Sequence, residues 1–218
     1  MWILQGIQTA ELSLEAFLSA VNRHQRVHID IGTGDGRNIY RLAVSDSDTL
    51  YIGIDPAREN MFEMSRKITK KPAKGGLSNV LFVVAAAEAL PPELSGIADS
   101  ISVLFPWGTL LEYVIRPSEE MLSNMAGIAK NGAKFEFLTT YSDMYEEGEI
   151  SRRGLPAIDV AYFQSERYTT ACRNAGFWIE GVAEYDNEYV KQYNSLWAKR
   201  LAFGRKRSFF QIVGKIVK

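Results

Sequence analysis

The sequence is poor in the residues that bind metals and form disulfides. Its 218 residues include one cysteine, Cys172, and two histidines, His24 and His28. A single cysteine excludes a disulfide within the chain and is typical of the reducing cytoplasm, where we expect this protein to act. One cysteine and two histidines supply no zinc-ligand spacing, so we predict no metal site.

Long apolar runs and an excess of one charge are also absent. No stretch approaches the ~18 consecutive apolar residues of a membrane span, and the start M-W-I-L-Q-G lacks the pattern of a signal peptide. The formal net charge is −1, so nucleic-acid binding would have to depend on local basic patches. Apolar residues make up 46% of the chain, which is enough for the core of one α/β domain.

A glycine-rich turn follows an apolar segment near the start of the chain. The run D-I-G-T-G-D-G occupies residues 30–36, and Asp55 ends another apolar run about one β-α-β step later. This layout is typical of a nucleotide-type cofactor site at the carboxyl ends of two neighbouring parallel strands. Gly32 and Gly34 would let the backbone pass close to the ligand, and Asp55 could accept hydrogen bonds from both ribose hydroxyls.

The spacing of this motif favours S-adenosylmethionine (SAM) over a dinucleotide. A dinucleotide site needs G-x-G-x-x-G, but here the third glycine comes one position early and Arg37 stands where it would fall. Asp30 completes the D-x-G-x-G-x-G form of SAM methyltransferases, in which the acidic residue can meet the amino group of the methionine part. Asp30 and Asp35 would repel a pyrophosphate. A nicotinamide or flavin site, or a glycine turn without a ligand, remains as an alternative.

Strand-like and helical patterns alternate along most of the chain. We predict strands near residues 27–31, 50–54, 79–84, 100–105, 134–140, 177–184 and 208–217. The alternation predicts an α/β fold with a parallel sheet and helices on both faces. Its end is similar to that of a Rossmann-like, seven-stranded class I SAM-dependent methyltransferase, whose last strand is antiparallel. We expect one domain over 1–218, with an N-terminal extension (1–20) and target-recognition insertions before strands six and seven, at 141–165 and 186–207.

Two tryptophans are candidates for binding a flat target. The predicted fourth strand ends in F-P-W-G, which places Phe105, Pro106 and Trp107 on the substrate side of the methyl donor. Trp197 lies in a polar, basic part of the second insertion. A core role is the alternative for each tryptophan, but we expect the pair to sandwich an extruded base. Stacking of roughly 1–3 kcal/mol per base would offset the cost of flipping the nucleotide.

Basic residues form two clusters that contain no acid. Residues 66–74 hold five basic residues and residues 199–218 hold seven. A single surface lysine is usually only solvated, but two such clusters in a chain of net charge −1 predict a phosphate-binding surface on one side of the sheet. The members of the first cluster are Arg66, Lys67, Lys70, Lys71 and Lys74, and Arg152 and Arg153 can extend the surface.

Several longer strings are similar to one family. D-I-G-T-G-D-G-R-N-I-Y, K-P-A-K-G-G-L-S-N-V, F-P-W-G-T-L-L-E and N-S-L-W-A-K-R-L-A-F-G-R-K-R-S-F resemble the NpmA and Kam family. These enzymes methylate N1 of adenine 1408 in 16S rRNA and confer aminoglycoside resistance. The resemblance covers nearly the whole chain, and implies SAM as cofactor and the rRNA decoding region of the assembled 30S subunit as partner. We expect a monomer with no membrane partner.

The resemblance also implies individual roles. Trp107 and Trp197 match the pair that stacks on the target adenine, and Phe105 and Pro106 match backbone positions that orient it. Glu88 would meet the adenine of the cofactor. The other cofactor positions are Asp30, Gly32, Asp55, Ala87, Leu104, Thr109 and Ser195. Arg207 would grip the distorted RNA near the flipped base, and the docking surface would include Arg66, Lys67, Lys70, Lys71, Arg153, Arg200 and Arg205.

The implied chemistry needs few catalytic groups. Adenine N1 carries a lone pair and no proton, so it can attack the methyl group without a general base, and catalysis can depend on alignment. Stacked π faces can stabilise the positive charge that appears on the base. The alternatives are a SAM enzyme for another RNA base or a small molecule, and a non-catalytic RNA-binding protein of this fold. The basic clusters weigh against a small molecule, and the intact cofactor motif weighs against loss of catalysis.

Overall fold

The computed structural model describes residues 1–141 and 153–218. The strands in these ranges are β1 (Trp2–Gln5), β2 (Gln8–Glu11), β3 (Arg26–Ile31), β4 (Thr49–Ile54), β5 (Val80–Val83), β6 (Ala98–Leu104), β7 (Ala129–Thr139), β8 (Phe177–Tyr185) and β9 (Phe209–Ile216). The helices are α1 (Leu14–Asn22), α2 (Arg37–Ser45), α3 (Arg58–Ile68), α4 (Gly108–Ile115), α5 (Glu119–Gly127), α6 (Val160–Gln164), α7 (Glu166–Asn174), α8 (Asn187–Val190) and α9 (Leu196–Ala202).

All nine of these strands belong to one sheet. Their order is β2-β1-β5-β4-β3-β6-β7-β9-β8. The strands from β5 to β7 in this order are mutually parallel, whereas β9 is antiparallel to both β7 and β8. The predicted methyltransferase sheet with an antiparallel last strand is therefore confirmed. The two extra strands, β1 and β2, come from the N-terminal segment.

The central strands are apolar because helices cover both faces of the sheet. All six residues of β4 are buried, which is the pattern of a parallel strand with a helix layer on each side. On one face, α2 and α3 contribute Ile39, Met61 and Met64 to a core with Phe82. On the other face, a larger core includes residues of α1, α4, α5 and α7. The predicted two-sided layering is thus confirmed.

The N-terminal segment forms a hairpin on the outer edge of β5. Ile3 pairs with Val83 in an antiparallel bridge, and Leu4 is buried with its carbonyl accepting a 2.9 Å hydrogen bond from Ser65 Oγ. The terminal amine of Met1 lies 2.7 Å from Glu93 Oε1. The sequence alone did not reveal this role, in which the hairpin covers a strand edge that would otherwise expose unpaired backbone groups.

The second insertion, and Arg153 in the described part of the first, lie beside the carboxyl end of β6. The first follows β7 and contains residues 142–152, which lie outside the described ranges; its later part packs on α4, where Tyr162 Oη donates to Ile115 O at 2.7 Å. The second joins β8 to β9 and contains α8 and α9. The second insertion thus supplies Ser195 and Trp197 beside the strand end that carries Trp107.

Two negative observations concern the described ranges only. None of their helices is long and apolar enough to cross a membrane. The same ranges contain no group of three or more histidine, cysteine, aspartate or glutamate side chains placed to hold a metal ion. Cys172 is packed in α7, where burial raises the pKa of its thiol to about 12.

Candidate cofactor and target site

A cavity of about 890 Å³ opens at the carboxyl ends of β3, β4 and β6. Its size lies within the range of small-molecule sites, and its position at the ends of parallel strands is usual for α/β proteins. The cavity wall includes most of the residues that the sequence predicted for the cofactor and the target. These are Gly32, Gly34, Asp55, Ala87, Glu88, Leu104, Phe105, Pro106, Trp107, Thr109, Ser195, Trp197 and Arg200.

The glycine turn is fastened to the end of β4 by backbone hydrogen bonds. Gly32 N and Thr33 N donate to Ile54 O at 2.8 and 3.0 Å. Asp55 Oδ2 accepts from Gly34 N at 2.9 Å, and its Oδ1 accepts from Ala57 N at 2.9 Å. Each carboxylate oxygen can accept about two hydrogen bonds, so both oxygens of Asp55 keep capacity for hydroxyl donors in the cavity.

Asp30 stands apart from the other predicted cofactor residues. It is 3% exposed and is not among the residues that line the cavity. Its Oδ1 accepts a 2.5 Å hydrogen bond from Ser102 Oγ on β6. Burial raises the pKa of the Asp30 carboxyl to about 6, although the Ser102 hydrogen bond opposes this rise. A contact between Asp30 and a cofactor amino group stays a prediction.

Asp30 belongs to a polar network that sequence reasoning missed. His28 and Asp30 lie opposite Ser100 and Ser102 in the β3–β6 ladder. His28 Nδ1 is 2.8 Å from Ser100 Oγ, and His28 Nε2 is 3.1 Å from Ser102 Oγ. Since Ser102 gives its one proton to Asp30, Nε2 must be the protonated nitrogen of a neutral ring. The sequence did carry a signal for this network, because polar residues alternate with apolar ones along both β3 and β6.

The cavity wall fits the predicted cofactor. At Gly34 the backbone is left-handed, and an added Cβ would have no atom within 4 Å, so the cavity reaches the backbone of the turn. Asp55 offers acceptor oxygens for a ribose, and Glu88 lies on the rim in a short 3₁₀ turn, Ala87–Ala89. An adenosine with a cationic tail requires an open backbone edge, an acidic acceptor and a second acidic residue, and the cavity wall offers all three.

The chain leaves β6 through a strained residue. Phe105 has a φ of 51°, and it is the one non-glycine residue of the described ranges with a positive φ. Its backbone N donates to Leu138 O at 2.6 Å, and its ring meets those of Tyr193 and Phe209 edge to face, with centroids 5.4 and 6.1 Å away. Such backbone strain is concentrated at functional sites. Here it directs the chain toward Pro106 and Trp107.

The two predicted tryptophans meet at the mouth of the cavity. Trp107 is 47% exposed and Trp197 is 41% exposed, so neither is a core residue. Their ring centroids lie 6.1 Å apart with an angle of 67° between the planes. A base stacked on both faces needs parallel rings about 7 Å apart. The structure therefore brings the pair together in an edge-to-face contact, and a sandwich would require one ring to rotate.

The two basic clusters lie on different elements. Cluster 66–74 begins in the last turn of α3, which returns from the carboxyl edge toward the start of β5, and Lys67 Nζ lies 4.1 Å above the ring of Tyr40 in α2. Near cluster 199–207, Asn194 N donates to Asn38 Oδ1 of α2 at 3.3 Å. Lys215 lies at the other end of β9, where it pairs with Glu180 at 2.7 Å. The run 199–218 is thus divided in space.

Among the predicted arginines of the first insertion, Arg153 lies near Gly108, beside the cavity. Arg153 Nη1 is 3.2 Å from Glu112 Oε2 on α4, while its neighbour Arg152 lies outside the described residues.

Asn187 was not predicted, yet it shapes the loop after α9. Its Nδ2 donates to the carbonyls of Leu201 and Arg205 at 2.7 and 3.2 Å, and its Oδ1 accepts from the Arg207 backbone at 3.1 Å.

Comparison with known proteins identifies the family. A family model described as NpmA, 16S rRNA (adenine(1408)-N(1))-methyltransferase, matches residues 2–216. The chain belongs to this family. It is therefore a SAM-dependent methyltransferase, and the predicted family and cofactor are confirmed.

Three relatives are informative. A 16S rRNA (adenine(1408)-N(1))-methyltransferase of Escherichia coli is 63% identical over 100% of both chains. A solved structure of an antibiotic-related methyltransferase has a TM-score of 0.91 and 59% identity, covering 98% of this chain and 100% of its own. The enzyme of Catenulisporales acidiphilia, solved with the cosubstrate SAM as a tryptophan-to-alanine mutant, has a TM-score of 0.90 and 30% identity, covering 100% of this chain and 97% of its own.

Proposed function

We propose that this protein methylates N1 of adenine 1408 in 16S rRNA within the assembled 30S subunit, and thereby confers aminoglycoside resistance. The observation that carries the proposal is one cavity in which the glycine turn meets two exposed tryptophans. The names of the relatives support the same reaction. We infer action as a monomer from the family resemblance, and a ribosomal substrate supports a cytoplasmic location.

The cofactor end of the cavity is held by a rigid frame. Gly32, Gly34 and Asp55 would form its inner wall, with Glu88 on the adenine side and Ser195 on the other side. When bound there, SAM supplies a methyl group on a sulfonium, which is an electrophile. The buried hydrogen bonds of Asp55 keep its carboxylate in one orientation, so the position of the donor would be set before the target arrives.

The target end would hold a flipped adenine between Trp107 and Trp197. In this orientation the N1 lone pair would face the methyl group, and no proton has to be removed before attack. The cavity wall contains no histidine or cysteine among its lining residues, which suits catalysis by alignment. The left-handed turn at Phe105 fixes the backbone beside the base. The aromatic faces would stabilise the cationic product.

The ring geometry implies a movement when the base enters. The edge-to-face contact of the two tryptophans, at 6.1 Å, closes the space that a base would occupy. Both rings are about half exposed, so a χ rotation of either meets solvent rather than core atoms. We therefore expect base entry to exchange one aromatic contact for two stacking contacts, which is a favourable exchange.

The basic clusters would dock the enzyme on the ribosome. Cluster 66–74 contacts α2 through Lys67, and Arg153 and Arg200 lie beside the cavity. Phosphate contacts of this kind fix register and orientation rather than read a base sequence. A surface that depends on several separated contacts suits a folded ribosomal target better than a short free RNA.

The decisive experiment maps the methylated base. Purified protein is incubated with labelled SAM and 30S subunits, and the 16S rRNA is examined by primer extension, because N1 methylation blocks base pairing. We expect a strong stop beside adenine 1408. Naked 16S rRNA should be methylated far more slowly. A stop at another base, or transfer only to small molecules, would contradict the proposal in favour of the alternative enzymes.

Tryptophan substitutions test the target end. Because stacking contributes roughly 1–3 kcal/mol per base, Trp107→Ala and Trp197→Ala should each lower methylation by about 5- to 150-fold while SAM affinity is retained. Trp178→Ala is the matched control, since Trp178 is also 47% exposed but packs on Arg173, away from the cavity. Parental rates in either cavity variant would exclude the sandwich.

A further inference from the structure

One carboxylate of the cofactor loop also holds the segment that carries Trp197. Asp35 Oδ1 accepts a hydrogen bond from Arg37 N at 3.1 Å, at the start of α2. Asp35 Oδ2 accepts from Leu196 N at 2.8 Å, across 161 positions of the chain. The first bond belongs to the glycine turn, and the second reaches the target-recognition insertion. The two oxygens of one side chain thus join the two halves of the site.

A second side chain makes a parallel connection one turn further along α2. Asn38 is 6% exposed, and its Oδ1 accepts from Asn194 N at 3.3 Å. Asp35 lies just before Gly36, the N-cap of α2, and Asn38 lies in its first turn, so both flank the helix start. The two bonds hold the residues on either side of Ser195, and Trp197 follows directly. This short stretch, residues 194–197, is called the target arm below.

The target arm has little else to hold it on the cavity side. In the first turn of α9, Leu196 is 52% exposed and Trp197 is 41% exposed. The buried residues of this helix, Ala198, Leu201 and Ala202, anchor its other face to the core around Phe209. Packing therefore fixes where the helix lies, whereas hydrogen bonds to α2 set the position of its first turn.

We propose that Asp35 and Asn38 are positioning residues that clamp the target arm to the cofactor loop. The clamp would make the tryptophan face and the cofactor wall one unit, so that the stacked base is held at a set distance from the methyl group. A hydrogen bond to an ionised acceptor is stronger than a neutral one, so Asp35 carries the larger share. This inference rests on the proposed role of Trp197 in binding the target base.

The clamp can be tested in the intact enzyme with three variants. Asn38→Ala removes an acceptor without touching the cavity wall, and Asn38→Asp retains an acceptor oxygen. Asp35→Ala removes the stronger bond. Asp159→Ala is the matched control, because Asp159 caps α6 by accepting from Tyr162 N at 2.6 Å and is not among the residues that line the cavity. For each protein, kcat, the KM for 30S subunits and the Kd for SAM are measured.

We expect both alanine variants to lower kcat, by about tenfold for Asp35→Ala and by a smaller factor for Asn38→Ala. Asn38→Ala should keep the parental Kd for SAM, and Asn38→Asp and Asp159→Ala should keep the parental kcat. Amide hydrogen exchange provides a second measurement, in which the Leu196 amide should exchange about tenfold faster in Asp35→Ala than in the parent.

The outcomes distinguish this inference from the proposed function. Unchanged kcat in both alanine variants, or unchanged exchange at Leu196, would overturn the clamp. A loss of activity in Asn38→Ala that is explained by weaker SAM binding would also overturn it, because the residue would then act on the cofactor. If Trp197→Ala is fully active, the proposed stacking role of Trp197 fails, whereas faster exchange at Leu196 in Asp35→Ala would still show the structural connection.

Discussion

At the scale of the residue, His28 and Asp30 make the stability of the fold change with pH in opposite directions. Burial lowers the pKa of His28 from 6.5 to about 4, and burial raises the pKa of Asp30 from 3.8 to about 6. Between pH 4 and 6 the folded state therefore holds an extra proton on Asp30, while the unfolded state holds an extra proton on His28. The proton on Asp30 makes the free energy of unfolding fall as pH rises, whereas the proton on His28 makes the free energy of unfolding rise.

Single substitutions should separate these opposing effects. Asp30→Asn leaves only the histidine effect, so its free energy of unfolding should increase more steeply than the parent's between pH 4 and 6.5. His28→Gln leaves only the carboxyl effect, which is about 3 kcal/mol for a pKa change of about two, so its stability should decrease over the same window. Urea denaturation at several pH values measures both.

The parent provides the control for this pair, because the contributions of the two residues nearly cancel there. Parallel pH profiles for the parent and both variants would show that the two groups do not titrate as their burial implies. Because Ser102 joins them, with contacts of 2.5 and 3.1 Å, Ser102→Ala should alter both profiles. Burial, which the Ser102 hydrogen bond only partly offsets, explains why an acidic residue of the cofactor motif can be neutral at mildly acid pH.

At the scale of the element, the turn between β3 and α2 uses its glycines for different purposes. Gly34 has a φ of +59° and open space where a Cβ would be, whereas Gly36 has a φ of +70° and a Cβ there would overlap the Phe82 ring. Both need the left-handed backbone that glycine adopts without strain. Gly34 thus leaves room for a ligand, and Gly36 leaves room for the core.

This difference predicts two distinct alanine phenotypes. Gly36→Ala should lower the free energy of unfolding by about 2–5 kcal/mol, because backbone strain and overpacking add. Gly34→Ala should lower it by only about 1–2 kcal/mol, yet weaken SAM binding by more than about tenfold, because its methyl group enters the cavity. Urea denaturation and SAM titration of each variant measure the contrast, and equal SAM affinity in Gly34→Ala and the parent would mean the cofactor lies elsewhere.

At the scale of the whole molecule, the net charge is −1, but the basic residues are distributed unevenly over the surface. The basic residues that the sequence places in one run are separated by the fold. Lys215 pairs with Glu180 at the far end of β9, whereas Arg200 lies at the cavity. Cluster 66–74 is separate again, at the end of α3, where Lys67 lies over Tyr40 of α2. Ribosome binding should therefore depend on separated patches rather than on overall charge.

Salt titration tests this arrangement. Lys70→Glu combined with Lys71→Glu should weaken binding to 30S subunits and reduce the slope of log K against log salt by about one for each phosphate that is no longer neutralised. Arg205→Glu should act in the same way and add to the first pair. Lys215→Ala is the control and should bind like the parent. An equal effect of Lys215→Ala would mean that attraction is diffuse rather than localised.

Much of the fold and of the site was predictable because the signals are local. A strand shows its own apolar run, and a glycine turn shows its own spacing. The central strands, the antiparallel last strand and the family were therefore correctly predicted. The strands β1 and β2 were not predicted, because each has only four residues, which is too short a run for a clear periodic pattern. Asn187 was missed because its three partners lie 14 to 20 positions away.

By itself the sequence determined the class of cofactor and the family, and it singled out Trp107 and Trp197, which the structure brings together at one cavity. Those properties depend on residue types at short spacing, which the chain displays before it folds. Only the tertiary structure decided that Asp30 pairs with Ser102 rather than lining the cavity. It also set the edge-to-face contact of Trp107 and Trp197, and joined Asp35 to Leu196. Such contacts depend on strand register and helix packing between distant segments, where a shift of about 1 Å changes which polar atoms meet.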